Sequence, residues 1–408
     1  MTKTAISHAI QTIMTGSTIA LTTVVPIQAA QAQTFTEALT GGKASVDLRV
    51  RYEGVTQDGK NDASALTERT RIGYKTADFN GFDAFMEMSN TEVLGDKKDY
   101  FIPKGPNAAG DASKAVVLDP KIITLNQAWV GYQFGETALK VGKQRIIFDN
   151  RFLGNVGWRQ SEQVYTGASL KTKVLPNTEI DYAYITNVTN PIGVEQAMGS
   201  NTFQAQYSGL PYGKLTAYGY LLDYDLAATT DSQTLGLRFA GSTQANEKFK
   251  VFYHLEAASQ SDYADSKNIG GDYTRAEIGL GMGKAKVLLG QEKLGGDGTS
   301  SFQTPLGTVH LFNGWADMFI GPVGGTPVKG LVDNYIKVSG KSLGLKMAAS
   351  YHDFSADTDS TKYGTEYNLL IAKPFSKTYL AGIKYANYSA DQYAKDTSKL
   401  WIWGQMKF

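Results

Sequence analysis

The sequence predicts an all-β protein, a transmembrane antiparallel up-and-down β-barrel whose long extracellular loops fold into the lumen. Three observations predict it. Segments of about ten residues alternate apolar and polar side chains, which is the length that a tilted strand needs to cross a bilayer. Short and long connections alternate between these segments. The last segment ends on an aromatic residue, Phe408.

The composition agrees with such a barrel and excludes other classes. The chain has 408 residues, of which 42% are hydrophobic and 19% are charged. The mature chain has no run of roughly 18 to 20 apolar residues, so a spanning helix is excluded. Alternating faces keep the mean hydropathy low, at −0.26. The net charge of +1 offers no basic field for nucleic acid, and the absence of cysteine excludes disulfides and thiolate metal sites.

The first 32 residues have the order of a secretory signal peptide. Lys3 is followed by a weakly apolar stretch at 19–27 and by Ala30-Gln31-Ala32, a small-x-small cleavage site. We therefore expect removal of residues 1–32, a short periplasmic lead-in over 33–43 and one barrel domain over 44–408. The alternative is a frayed helical tail.

Period-two alternation separates two faces along each segment. In residues 45–53, valine, leucine and tyrosine share one face, while aspartate, arginine and glutamate share the other. A soluble sandwich would show the same alternation, so these segments alone do not distinguish lipid from a protein core. The expected strands are 44–54, 64–76, 82–93, 123–134, 137–147, 163–173, 178–188, 201–208, 214–224, 231–241, 247–258, 271–282, 285–294, 330–338, 342–354, 363–373, 376–388 and 398–408.

The lengths of the connections favour the barrel. Long connections at 94–122, 148–162, 189–200 and 295–329 fall at one end of the strands, and tight turns fall at the other. Outer-membrane barrels have this asymmetry, and an even strand count returns both termini to the periplasm. We expect eighteen strands, with sixteen as the alternative.

The last strand resembles the carboxy-terminal signature of outer-membrane proteins. Leu400, Ile402, Met406 and Phe408 share one face of it. The resemblance implies insertion into the cell outer membrane by the barrel-assembly machinery, with membrane lipids as neighbours.

Catalytic and metal-binding motifs are missing from the sequence. The mature chain has His254, His310 and His352, without a His-Glu-x-x-His, Gly-x-Ser-x-Gly or phosphate-loop pattern. We expect no catalytic residue, no metal site and no cofactor. The rival class is a barrel enzyme that combines His254 or His352 with a serine, or a surface adhesin.

Basic side chains concentrate in the first two strands. Arg49 and Arg51 share one face of the first strand, and Arg69, Arg71 and Lys75 share one face of the second. Arginine on the lipid face would cost about 2 to 4 kcal/mol near the midplane, so these side chains should line the lumen and favour anions there. The alternative is that each cation pairs with a lumenal carboxylate, for which the candidates are Asp47, Glu53, Asp83 and Glu87.

Two further segments are expected at the mouth or inside the lumen. Residues 142–160 are basic, and Trp158 among them offers a flat face for a sugar ring. Packing over the mouth is the alternative for this segment. Residues 302–317 are too apolar for a solvated tether and should narrow the channel. The pore-lining candidates of the first segment are Lys143, Arg145, Arg151, Trp158 and Arg159, and the constriction candidates of the second are Phe302, His310, Trp315 and Asp317.

These segments resemble the alginate-export family of outer-membrane porins. The resemblance rests on Gly-Lys-Gln-Arg at 142–145, Gly-Asn-Val-Gly-Trp-Arg-Gln at 154–160, Phe-Gln-Thr-Pro-Leu-Gly-Thr-Val-His at 302–310, Phe-Asn-Gly-Trp-Ala-Asp at 312–317 and Thr-Glu-Arg-Thr-Arg at 67–71. It implies an eighteen-stranded monomeric barrel with an arginine-rich lumen suited to polyuronates.

Together these expectations describe a channel for the diffusion of small hydrophilic solutes, namely anions or sugar acids. Dedicated export of an anionic polysaccharide is the alternative. The net charge of zero after loss of Lys3 favours the smaller solute, because a strongly anionic polymer gains little from a neutral protein.

Overall fold

Eighteen antiparallel strands form one closed barrel. The computed structural model describes residues 34–226, 230–320 and 325–408. The first strand pairs with the second and also with the last, so the sheet closes on itself. The expected fold class is confirmed, with eighteen strands rather than sixteen. The strands are β1 Lys43–Gln57, β2 Ala63–Lys75, β3 Phe82–Val93, β4 Ile122–Phe134, β5 Thr137–Gln144, β6 Val164–Thr172, β7 Thr178–Thr189, β8 Glu195–Leu210, β9 Gly213–Leu222, β10 Ser232–Gln244, β11 Phe249–Ser261, β12 Gly271–Met282, β13 Ala285–Leu294, β14 Leu331–Ser342, β15 Leu345–Ser355, β16 Lys362–Pro374, β17 Tyr379–Ala390 and β18 Thr397–Lys407.

A short helix, α1 Phe35–Thr40, precedes the barrel. Thr34 and Glu37 form a capping box at its start, and the Ala77 amide donates to the Ala38 carbonyl at 3.0 Å. The helix therefore lies against the end of the barrel that carries the termini, which we call the terminal end. The expected signal peptide over 1–32 lies outside the described residues. Within the described ranges, no helix is long and apolar enough to span a membrane.

The connections differ in length between the two ends. Two-residue turns at 135–136, 283–284 and 343–344 lie at the terminal end, whereas loops 94–121, 145–163 and 295–330 lie at the opposite, distal end. The expected long loop at 189–200 was wrong, since only residues 190–194 separate β7 from β8. Residues 195–200 extend the strand through a bulge between Ala197 and Ser200, which interrupts the period-two pattern that the prediction used.

The barrel wall is apolar outside and polar inside. Ile72, Val141 and Leu237 point outward and are 59%, 62% and 57% exposed. Each of them has a charged strand neighbour on the inner face, namely Arg71, Lys140 and Arg238. This distribution is the reverse of that in a soluble protein and matches a wall that is surrounded by hydrocarbon.

Two of the distal loops fold into the lumen. Loop 145–163 contacts the inner face of β1, and the described residues of loop 295–330 contact the inner faces of β16 and β17. Their apolar side chains form a buried cluster in the lumen with inward residues of the wall, and the loop members are Ile146, Phe152, Leu153, Trp158, Phe302, Leu306, Trp315, Ala316 and Phe319. We call these two loops together the plug.

Candidate functional site: the lumen and its plug

Four arginines of β1 and β2 lie side by side on the inner face. The strands pair so that Arg49 stands opposite Arg69 and Asp47 stands opposite Arg71. Because alternate residues of a strand share a face, this register brings Arg49, Arg51, Arg69 and Arg71 together on the lumenal wall. All four are at least 93% buried, since the plug packs over them.

Three of these arginines form ion pairs with carboxylates. Arg69 lies 2.6 Å from Asp47, and Arg71 lies 3.3 Å from Glu162 of the plug. Arg51 contacts Glu53 and also Asp119 of loop 94–121. Burial alone would raise the pKa of Asp119, but the Arg51 and Arg159 guanidinium groups hold it below its usual value. Pairing with lumenal carboxylates, the alternative considered from the sequence, therefore describes these three residues.

Arg49 differs from the other three. Among the described residues, it has no carboxylate partner in an ion pair. Its Nε donates to the side-chain oxygen of Gln160 at 2.8 Å, and its Nη2 donates to the Arg159 carbonyl. A buried guanidinium that is held only by neutral acceptors keeps its positive charge uncompensated, which makes Arg49 a local source of anion attraction.

Loop 145–163 is fixed to the wall by polar contacts. Gln160 donates to the Thr67 hydroxyl at 2.9 Å, and its carbonyl accepts from Arg71 at 3.2 Å. The two plug loops approach closely at Gly154, where a Cβ would lie 2.3 Å from the Thr308 hydroxyl. Only glycine fits at this contact.

Glu162 is the acidic centre of this loop. Arg145 lies 2.6 Å from Glu162 through Nε and 2.6 Å from Glu87 through Nη2, and Asn126 donates to both acids. Burial would raise the pKa of Glu162, but Arg71 and Arg145 hold it well below its ordinary value. The charges of this group cancel, so it fastens the loop without adding net charge to the lumen.

Trp158 and His310 join the two plug loops by stacking. Their ring centroids are 3.5 Å apart with an interplanar angle of 10°, and Trp401 of β18 meets Trp158 edge-on. Trp158 is only 7% exposed, so its face is taken by His310 and is not free for a sugar ring in this structure. The Arg159 guanidinium lies 3.9 Å from the Trp158 ring centroid, which adds a cation–π contact.

His310 is neutral in this environment. Burial lowers its pKa to about 3, against the opposing effect of Asp317. Nδ1 of His310 lies 2.6 Å from Asp317, and Nε2 contacts the Lys384 ammonium. Asp317 also pairs with Arg159 and with Lys399 of β18, at 3.4 and 3.2 Å.

Other described residues of loop 295–330 are anchored to β16. Glu366 of β16 accepts hydrogen bonds from the backbone amides of Trp315 and Ala316. Arg151 of the neighbouring loop pairs with Glu292 of β13 at 2.9 Å. Phe302 is fully buried against aromatic rings of the first loop and of the wall. All four constriction candidates therefore lie inside the barrel.

Lys75 and Lys143 lie on different faces of the wall. Lys75 faces the lumen and lies 2.6 Å from Asp83. Lys143 was expected in the lumen, but it stands two residues after the outward Val141 and shares the outer face with it. Its basic neighbours in the sequence suggested the lumen, but the alternation of side chains along the strand decides the face.

A set of lysines lines the lumen, and of these only Lys75 was expected there from the sequence. The alternation of side chains along each strand places these lysines on the inner face, in the middle of the strands or towards the terminal end of the barrel. Apart from Lys75, Lys171 and Lys407, none of them has an ion-pair partner in the described part of the chain. Some lie over aromatic rings instead, such as Lys286, which is 4.2 Å from the Phe252 centroid. The set comprises Lys75, Lys140, Lys171, Lys214, Lys250, Lys286, Lys337, Lys341, Lys346 and Lys407.

The histidines of the rival enzyme hypothesis lie in the wall. Nε2 of His254 lies 2.9 Å from Glu256. His352 lies between two groups, with Nδ1 2.9 Å from Asp333 and Nε2 3.1 Å from the Ser350 hydroxyl. In the described ranges, no group of three histidine, cysteine, aspartate or glutamate side chains is arranged to hold a metal ion.

Comparison with known proteins identifies the fold. No family model and no curated protein matches the chain. Among solved structures, OccAB2 of Acinetobacter baumannii matches with a TM-score of 0.71 and 15% identity, over 91% of this chain and 99% of that one. OccK9 (OpdG) of Pseudomonas aeruginosa matches with a TM-score of 0.71 and 12% identity, over 91% of this chain and 100% of that one. OpdK of the same organism matches with a TM-score of 0.66 and 13% identity, over 90% of this chain and 98% of that one. OpdK is an outer membrane protein and was also solved with vanillate. At these identities the likeness concerns the fold, and we conclude that this chain has the eighteen-stranded barrel fold of these proteins.

Proposed function

We propose that this protein is an outer-membrane channel for the passive diffusion of small anionic solutes. The apolar outer face supports a location in a membrane, and the fold is shared with an outer membrane protein. The finer parts of the proposal are export through a signal peptide over 1–32, insertion by the barrel-assembly machinery through the strand that ends at Phe408, and function as a monomer.

The observation that carries the anion preference is the excess of unpaired cations on the lumenal wall. Lys250, Lys286 and Lys337 have no carboxylate within ion-pair distance among the described residues, and Arg49 is held only by neutral acceptors. Fixed cations on a pore wall lower the electrostatic barrier for anions and raise it for cations. OpdK was solved with vanillate, an aromatic carboxylate, which agrees with an anionic solute for this fold.

The plug favours small solutes over a polymer. Trp158, His310 and Gln160 are at most 7% exposed in the lumen, and both plug loops are held by several buried ion pairs. Dedicated export of an anionic polysaccharide, the alternative implied by the alginate-export resemblance, would require these contacts to open for the whole length of the polymer.

Conductance of the purified protein in planar bilayers tests the proposal. In a salt gradient, the reversal potential should report anion preference in the wild type. Replacing Lys250, Lys286 and Lys337 together by glutamine should shift the anion-to-cation permeability ratio towards one. Lys377→Gln, in an exposed turn at the terminal end, is the matched control and should leave the ratio unchanged. Cation preference in the wild type would contradict the proposal.

One observation favours a second candidate function, an esterase in the lumen. Asp333, His352 and Ser350 have the order of acid, imidazole and hydroxyl that activates a serine nucleophile. In that case a fluorophosphonate probe would label Ser350, and Ser350→Ala would abolish both the labelling and the hydrolysis of a nitrophenyl ester. An unlabelled wild-type protein would remove this candidate.

A further inference from the structure

We propose that the barrel wall has a lateral window between β4 and β6 that binds an alkyl carboxylate from the surrounding membrane. The proposal rests on the outer-membrane location proposed above. It adds to the axial path through the lumen a second site, which opens on the outer face of the wall.

The window arises because one strand is short. The last pair between β4 and β5 is Ala128 with Lys143, because the chain turns inward at Arg145 to enter the plug. β4 nevertheless continues to Ile122, where it still pairs with Thr91 of β3. Residues 122–127 therefore have a ladder partner on one side only, within the described part of the chain. A gap of this kind in a barrel exposes a strand edge that must be covered by something else.

The gap is a framed cavity and not a frayed edge. Its volume is about 310 Å³, and it lies between the distal end of β4 and the start of β6. Loop 190–194 closes it at the distal side, where Asn107 donates to the Ile192 carbonyl at 3.1 Å. Gly193 packs so tightly there that a Cβ would lie 2.6 Å from the Ile122 side chain. The contacts on every side hold the opening in shape.

The lining of the cavity has an apolar part and a basic rim. Ile122, Leu125 and Val164 supply the apolar part, and Lys143 stands at the rim on the outer face. The rest of the lining is mainly polar, with serine, threonine and asparagine side chains and two glutamates. An alkyl chain can pack against the apolar part, and a carboxylate can pair with Lys143. A volume of about 310 Å³ lies at the lower end of the roughly 300 to 1,000 Å³ that small-molecule sites occupy, which suits a medium-length chain.

Lys143 is available to an incoming anion. Its ammonium lies 3.5 Å from Glu195, whose side chain is 62% exposed. The pair is long and Glu195 is largely exposed, so a ligand carboxylate can compete with Glu195 for Lys143. Glu162 lines the inner side of the cavity, but Arg71 and Arg145 neutralise it and it does not repel the ligand.

Photolabelling in lipid nanodiscs tests the window. The probe is decanoate with a diazirine at its methyl end, and the labelled residues are mapped by mass spectrometry. We expect label at 122–126 and at Val164, and competition by unmodified decanoate. Lys143→Gln should weaken that competition about tenfold, the loss expected for one charge-assisted hydrogen bond. Val164→Trp should fill the cavity and remove the label.

Controls separate the window from ordinary lipid contact. Val141→Trp places the same bulk on the outer face of β5, outside the cavity lining, and should leave the label in place. Label spread evenly around the barrel would overturn the proposal, because membrane acyl chains would then explain it. Competition by decanol as strong as by decanoate would also overturn it. If Val164→Trp does not fold, the map of labelled residues in the wild type and the competition measured with Lys143→Gln still test the proposal. Conductance of the same preparations tests the channel separately, so a missing window and a missing channel are distinguishable.

Discussion

At the scale of single residues, the charged side chains of the lumen differ in what compensates them. Arg51, Arg69 and Arg71 are paired, whereas Arg49 and several wall lysines are not. Removing one member of a buried pair leaves an uncompensated charge, so the paired arginines are fixed by structure. The unpaired wall lysines carry no such constraint and can act on a solute, whereas Arg49 is held by Gln160 and the Arg159 carbonyl under the plug.

His310 makes docking of the plug dependent on pH. Burial lowers its pKa to about 3, with Asp317 opposing this and Lys384 and Arg159 adding to it, whereas an exposed histidine titrates near 6.5. The docked loop therefore binds fewer protons than the released loop between these two values. Docking is fully favoured above about pH 6.5 and weakens by about 1.4 kcal/mol per pH unit as the pH falls towards 3.

Hydrogen exchange measures this prediction. After correction for intrinsic rates, protection of residues 302–317 should fall between pH 7 and pH 5 in the wild type. His310→Gln, which does not titrate, should flatten the dependence in this range. Wild-type protection that stays constant with pH would contradict the role given to His310.

At the scale of elements, the plug loops depend on glycines at close contacts. Gly314 has a φ of 82°, and a Cβ there would lie 2.3 Å from the Glu366 carboxylate that holds the Trp315 and Ala316 amides. Gly298 in the same loop has a φ of 91°, but nothing lies within 4 Å of the position of its Cβ. Both positions therefore require a positive φ, but only at Gly314 is there no room for a Cβ.

Gly314→Ala should release loop 295–330 from β16. We expect higher single-channel conductance and faster hydrogen exchange at 312–317, because the added methyl group displaces Glu366 from its two amide donors. Gly298→Ala reproduces the positive-φ strain without the clash and should change both readouts much less. Equal effects of the two substitutions would show that strain, and not the contact with Glu366, controls the loop.

Strand positions were largely predictable from the sequence, but several faces and contacts were not. All eighteen segments were expected, and the long loop at 189–200 was wrong because a bulge concealed the start of β8. Lys143 was assigned to the lumen by its basic neighbours, although it lies on the outer face. The free face expected for Trp158 is occupied by His310, which is distant in sequence.

At the scale of the whole molecule, the apolar outer surface requires a hydrocarbon surrounding. Leu237 lies in the middle of β10 and is 57% exposed on the outer face, whereas Leu343 lies in a turn at the terminal end and is 92% exposed. Leu237→Arg should lower the free energy of unfolding in lipid vesicles by about 2 to 4 kcal/mol, as arginine does near the bilayer midplane.

Leu343→Arg is the matched control for that measurement. The same substitution at the membrane edge should cost about 0 to 1 kcal/mol. Equal effects would place the apolar face against protein or water and would remove the basis for the channel. A purified chain that folds and stays soluble without detergent or lipid would have the same consequence.

The sequence by itself determined the closed barrel, because period-two alternation and alternating loop lengths are local properties of the chain. It also determined that basic residues concentrate on the polar faces. Only the tertiary structure decided which cations stay unpaired, how the plug fills the lumen and where the wall opens beside β5. These depend on residues that are far apart in sequence and meet through strand register, and pairing of charges is a property of distances in space that spacing along the chain does not report.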